Sequence, residues 1–133
     1  MKFVIAIFLG VLIGGVVNGG LIAGSAAIIP PPEGVDPSDV ESIKENIDKY
    51  EPKHFIPPLV AHALGTLVGA AVAAGLSPTH QMRSARIIGF FFLLGGIGMA
   101  FLVPAPAWFV ATDLVVCYLP MAWIGGRVFL KKT

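Results

Sequence analysis

From Phe3 to Ile29 the chain carries no charged side chain, a run too long and too apolar to be sheltered in a small soluble core. Crossing ~30 Å of hydrocarbon takes about 20 mostly apolar residues in a helix. In lipid every backbone N–H and C=O must also be paired within its own segment, which makes the helix the default form for such a run. Three more runs follow. Leu59 to Leu76 lies behind Pro57-Pro58, where proline is tolerated because first-turn N–H groups have no helical partner. Ser77-Pro78 repeats that signal as an N-cap residue followed by proline, and the third run turns apolar from Ile87 to Val103 after a polar turn. Pro104-Ala105-Pro106 closes it, and the fourth extends from Ala107 to Leu130.

The expectation is an all-α polytopic membrane protein: one domain over residues 1–133, with transmembrane helices at 3–29, 57–76, 78–103 and 107–130. Pro120, inside the fourth, removes one N–H and crowds the carbonyl of Val116, so a kink is expected there. Met1-Lys2 before an apolar run also fits the start of a signal peptide, but the apolar part of a signal is about 7–15 residues, far shorter than this one. Composition agrees with the membrane reading. Hydrophobic residues make up 56% of the chain and charged residues 13%, against about 25% charged in soluble domains, and mean hydropathy is +0.83.

The charges are segregated. Seven of the eight acids (Glu33, Asp36, Asp39, Glu41, Glu45, Asp48 and Glu51) fall between the first two spans, leaving Asp113 alone. In that external segment, 30–53, Pro30-Pro31-Pro32 should be stiff and extended. Asp36-Pro37 then reads as a cap with proline at N1, and Val40, Ile43, Ile47 and Tyr50 recur at helical spacing. A short amphipathic helix over about 37–50 is expected, lying on the membrane surface or bundle mouth, or docking a protein partner.

Orientation follows from Lys and Arg beside the spans. Both termini and the loop between the second and third spans hold Lys2, Arg83, Arg86, Arg127, Lys131 and Lys132; the other side holds Lys44, Lys49 and Lys53. Six against three places both termini in the cytoplasm. Trp108, Trp123 and Phe55 fit interfacial belts.

Helices in lipid associate through small residues and interhelical hydrogen bonds. The first span has Gly10 and Gly14, Gly15 and Gly19, and Gly20 and Gly24 at four-residue spacing, and the second has Gly65 and Gly69. So many small positions exceed what one neighbour uses. The first span is therefore expected at the bundle centre, or facing a copy of itself in a homo-oligomer.

Ionisable groups inside a bilayer are costly and often functional. Only His62 and Asp113 qualify, each about five residues, or ~7–8 Å, from the outer end of its helix. Thr66 shares a face with His62, and Asn18 could supply a third polar wall. The functional reading is a polar vestibule for a cation, proton or small solute; the structural reading is a hydrogen bond locking two helices. Glu51, His54 and His62 match no metal-ligand spacing. There is no glycine-rich phosphate loop, nucleophile elbow or Cys-x-x-Cys, so neither a cofactor nor an enzymatic activity is expected. Cys117 has no partner for an intrachain disulfide, and no basic, aromatic-interleaved patch suggests nucleic acid. The expected partners are the lipid bilayer and either a second copy or another membrane protein.

The stretches Ala61-His62-Ala63-Leu64-Gly65-Thr66-Leu67-Val68-Gly69-Ala70, Pro104-Ala105-Pro106-Ala107-Trp108-Phe109 and Leu119-Pro120-Met121-Ala122-Trp123-Ile124-Gly125-Gly126 resemble a group of small bacterial four-helix membrane proteins without assigned activity. That resemblance covers about residues 29–128. It implies four helices and a bacterial inner membrane, and offers no catalytic residue to transfer. Small fluoride channels and multidrug exporters share only size and helix number, and the exporters' glutamate in the first helix has no counterpart between Phe3 and Ile29. Two functions remain: an oligomeric ion or small-solute channel or transporter around His62 and Asp113, or an accessory subunit held in a larger complex by its glycine-rich first helix and acidic external helix.

Overall fold

The computed structural model describes residues 1–130, so Lys131 and Lys132, counted above for orientation, lie outside the described residues. Six α-helices build it: α1 Lys2–Ser25, α2 Val40–Glu45, α3 Ile56–Leu76, α4 Gln81–Leu102, α5 Ala107–Val116 and α6 Leu119–Val128. No strand occurs among the described residues. Four spans are long and apolar enough to cross a membrane: Lys2–Ser25, Pro52–Leu76, Gln81–Leu102 and Ala107–Val128. The chain is an all-α, multi-pass membrane protein.

Its packing inverts that of a soluble bundle. The core is made of Ala70, Ala73, Ala74, Ala85, Ile88 and Ala122, while Phe8, Leu12, Val16, Leu94, Phe101 and Val115 are among the exposed large side chains. Lipid solvates such a surface as well as a core would, so the interior is free to consist of residues that let backbones approach.

The centre is α3, which packs against α1, α4 and α6. The expectation that the first helix is the spine is corrected: α1 lies at the edge, chiefly against α3, with 17% of its most apolar window buried against 39% for the second span. Its glycines divide into two sets. A methyl group added at Gly10 would stand 2.7 Å from the Gly69 carbonyl oxygen, and one at Gly14 equally close to that of Gly65. Added at Gly15, Gly19, Gly20 or Gly24 it would meet nothing within 4 Å. Spacing alone marked all of them, but only one face of α1 meets α3.

Several boundaries differ from expectation for local reasons. The first helix stops at Ser25 rather than 29, where the Ser25 hydroxyl donates to the Ile22 carbonyl and tight turns carry the chain to Ile29. The external helix over 37–50 is reduced to α2 and a 3-10 turn, Ile47–Lys49. Asp36 does not cap it; its carboxylate accepts from the Ser38 N–H and hydroxyl in a turn, and Asp39 caps α2 by accepting from the Glu41 N–H. Asn46 ends α2 by donating its side-chain amide to the Ser42 carbonyl, competing with helix continuation. A 3-10 turn, Pro52–Phe55, leads into α3.

The third span begins at Gln81, not at 78. Ser77 ends α3 in an extended conformation, and its hydroxyl is committed to a buried hydrogen bond with that of Ser84, so it is not available as a cap. The fourth span is broken rather than bent: α5 ends at Val116, Cys117 and Tyr118 form the break, and Pro120 sits in the first turn of α6. Proline costs no helical hydrogen bond there.

Arg83 and Arg127 lie over the rings of Phe3 and Trp123 at the end holding the described terminus and the α3–α4 loop. The opposite end carries the acidic segment and an aromatic cluster in which Phe55 meets Tyr50, Trp108 and Phe109 at centroid distances of 5.0–5.9 Å. Amphipathic aromatic rings at two levels are what the two membrane interfaces favour.

Candidate functional site

His62 on α3 and Asp113 on α5 are brought into contact, with Nδ1 of the imidazole 2.7 Å from Oδ1 of the carboxylate. Tyr118, at the break between α5 and α6, completes the cluster: its hydroxyl donates to Asp113 Oδ2 at 2.8 Å and lies 3.1 Å from His62 Nδ1. The rings of His62 and Tyr118 stack with centroids 5.9 Å apart. Asp113 is 4% exposed and Tyr118 3%, so the carboxylate is sealed from lipid and water by its two donors. One proton arrangement satisfies all three groups: His62 carries hydrogen on Nδ1 and gives it to Oδ1, and Tyr118 gives its own to Oδ2. Nε2 of His62 is then left without a protein partner among the described residues.

The backbone explains why these groups meet. The break after Val116 lets Tyr118 turn back toward Asp113 five residues earlier, and the Cys117 thiol beside it donates to the Leu59 carbonyl, tying the break to α3. Gly96 on α4 leaves the room that the tyrosine occupies, since a methyl group there would stand 2.5 Å from its hydroxyl oxygen.

Beside the cluster lies a cavity of about 210 Å³ lined by Asn18, His62, Gly65, Thr66, Phe92, Gly95, Gly96, Met99 and Tyr118. A water occupies about 30 Å³ of liquid, so several fit. Asn18 and Thr66 line this cavity without bonding to His62 or Asp113. Their Oδ1 and Oγ1 atoms are buried and have no hydrogen-bond partner, and Thr66 as a whole is 1% exposed. Buried polar atoms are almost always paired, and leaving one bare costs about 1–3 kcal/mol. Such atoms mark a place where a polar guest belongs. Toward the termini the cavity ends on Phe92 and the dry core around Ile88 and Ala85.

A larger hollow of about 700 Å³ opens between the end of α1 and the external segment, lined by Ile28, Ile29, Pro30, Glu33, Lys49, Glu51, Lys53 and His54 among others. Two of its charged side chains pair with each other. Lys53 pairs with Glu51 at 3.2 Å in the open, and His54 Nδ1 accepts from the Glu51 N–H in a capping turn. Glu51 and His54 thus face each other while His62 faces Asp113, and no group of three His, Cys, Asp or Glu side chains able to hold a metal ion occurs among the described residues.

Two contributors went unread in the sequence. They are Gly96 and Tyr118, and neither the break nor the ring's direction follows from spacing. Thr112, on the same helix as Asp113, spends its hydroxyl on the Trp108 carbonyl and takes no part. Comparison with known protein families, curated proteins and solved structures found no match.

Proposed function

We propose that this protein moves a small ion or polar solute across a bacterial inner membrane, with both termini in the cytoplasm and the Asp113–His62–Tyr118 cluster as its binding and proton-exchanging site. The observation that carries this reading is the cavity at membrane depth, whose mostly apolar wall holds two orphaned polar atoms next to the buried acid and its imidazole. A purely structural lock between two helices accounts for the His62–Asp113 bond but gives no reason to leave Thr66 and Asn18 bare. On this reading the cavity opens outward in the present state, and Phe92 and Ile88 form the closed inner half of the path. Movement of α4 relative to α1, which pack weakly on each other, is then the step that opens it.

Reconstituted vesicles test this directly. Asp113→Asn and His62→Ala should each abolish solute-driven flux, and unchanged flux in both removes the proposed role.

A second reading has its own support. Gly15, Gly19, Gly20 and Gly24 face open space on α1, which suits self-association or docking to a larger membrane complex through close helix contact. Native mass measurement from mild detergent separates the outcomes: a stoichiometric foreign partner favours an accessory subunit, and a clean homo-oligomer favours the transport reading.

A further inference from the structure

We infer that the guest of the membrane cavity is a small cation carrying N–H donors, of the ammonium, primary amine or guanidinium class, and that it exchanges one for one with a proton on His62. This rests on the transport reading above and adds the chemistry of the solute.

Tyr118 spends its hydrogen on Asp113, leaving its oxygen lone pairs to the cavity. His62, donating from Nδ1, presents a bare Nε2 acceptor when neutral. Asn18 Oδ1 is an acceptor without a partner, and the Thr66 hydroxyl, also unpartnered, can accept as well as donate. Four acceptors (the Tyr118 oxygen, His62 Nε2, Asn18 Oδ1 and Thr66 Oγ1) meet at the cavity beside a carboxylate, so a guest that brings several donors matches the site better than one that brings only acceptors. Phe92 and Met99 add an aromatic ring and a polarisable sulfur, both of which favour a cation. An alkali ion fits less well, because three side-chain oxygens around about 210 Å³ cannot replace its hydration shell.

Charge then sets the exchange. The groups facing His62 are Asp113, Tyr118 and Cys117 from the last span, Thr66 on its own helix and Asn18 from α1, while α4 contributes no titratable side chain. Asp113 is therefore the only formal negative charge present. With His62 neutral the cluster carries −1 and a cation neutralises it. With His62 protonated the cluster is already neutral, and a bound cation would leave an uncompensated positive charge at membrane depth, which is expensive. Cation and proton compete for one charge: as the cation enters, the proton leaves Nε2 for the cavity water.

The test uses the purified full chain and labelled guanidinium, which stays charged and does not cross lipid as a neutral base. Binding should tighten as pH rises, approaching tenfold per unit where one bound cation displaces one proton. Ammonium and methylammonium should compete, and potassium and tetramethylammonium, which have no N–H, should not. Thr66→Val and Asn18→Leu each remove one acceptor and should weaken binding about tenfold, while the competition series needs no variant at all. Absent binding, equal competition by potassium or tetramethylammonium, or pH-independent affinity overturns the inference. A flux arm in vesicles separates it from the reading beneath it. Binding without flux leaves the ligand assignment standing and removes transport; potassium flux without guanidinium binding does the reverse.

Discussion

Replacing single glycines of α1 and α3 by alanine tests the packing of the bundle, because the two sets of glycines should respond with opposite signs. A methyl group at Gly69 would lie 2.6 Å from the Gly10 carbonyl oxygen and 3.2 Å from the Gly14 Cα. Those are backbone atoms and cannot rotate away. Ordinary contact begins near 3.4 Å, so α1 and α3 must part by roughly 0.8 Å along much of their shared face. Overpacking of this kind costs about 1–3 kcal/mol, offset by about 0.5–1 kcal/mol from alanine's better helix propensity. A net loss of up to about 2.5 kcal/mol is expected. At Gly15 the added methyl meets nothing within 4 Å, so only the propensity term remains and Gly15→Ala should gain up to about 1 kcal/mol. Equilibrium unfolding by steric trapping in bicelles, performed on the monomeric species, reads both. Gly69→Ala as stable as the parent, together with Gly15→Ala destabilised, would mean that the helices meet on another face.

Tyr118→Phe should cost about 1.5–3 kcal/mol, the range for a hydrogen bond to a charged group, and Gly96→Ala should displace the same ring; the double variant should lose less than the sum of the two by the shared hydrogen bond alone, because the added methyl still meets the ring carbons Cε2 and Cζ, both 2.7 Å away. Ser84→Ala strands the buried Ser77 hydroxyl and should lower stability by about 1–3 kcal/mol, whereas Ser77→Ala with Ser84→Ala should recover most of it, since removing both partners leaves nothing unsatisfied. Asp36, held by the Ser38 hydroxyl and N–H, should titrate below its ordinary value of 3.8 in a carboxyl NMR experiment. Because its folded value is lowered, the turn it stabilises is fully formed above that ordinary value and is lost as pH falls through the lowered one; Ser38→Ala should move the midpoint up toward 3.8.

The four spans were legible because mostly apolar runs of about 20 residues suit a membrane-crossing helix, and the pairing of His62 with Asp113 was legible because equal depth on two helices leaves them few other partners. What was not legible depended on direction. Four-residue spacing shows that a helix can be approached closely, but not from which side, so it does not separate a central α1, or one facing a second copy, from the edge position against α3. Caps were misassigned at Asp36 and Ser77 because each side chain had a second use for its oxygen, one in a local turn and one with Ser84 seven residues on. Proline at 120 announced a disturbance, yet a kinked continuous helix and two helices with a break read alike until the position of Tyr118 is known.

The break after Val116 also gives the last span a mechanical property. Asp113 stands four residues before Cys117, or ~6 Å along the axis at 1.5 Å per residue. Pivoting α5 by about 10° about the break moves that carboxylate by ~1 Å, enough to stretch its 2.7 Å contact with His62 beyond hydrogen-bonding reach. The tyrosine sits at the fulcrum and barely moves. A small tilt of ten residues therefore works as a lever that releases the acid from the imidazole while the phenol stays in place, so the bond between α3 and α5 is geared to the inclination of one short rod.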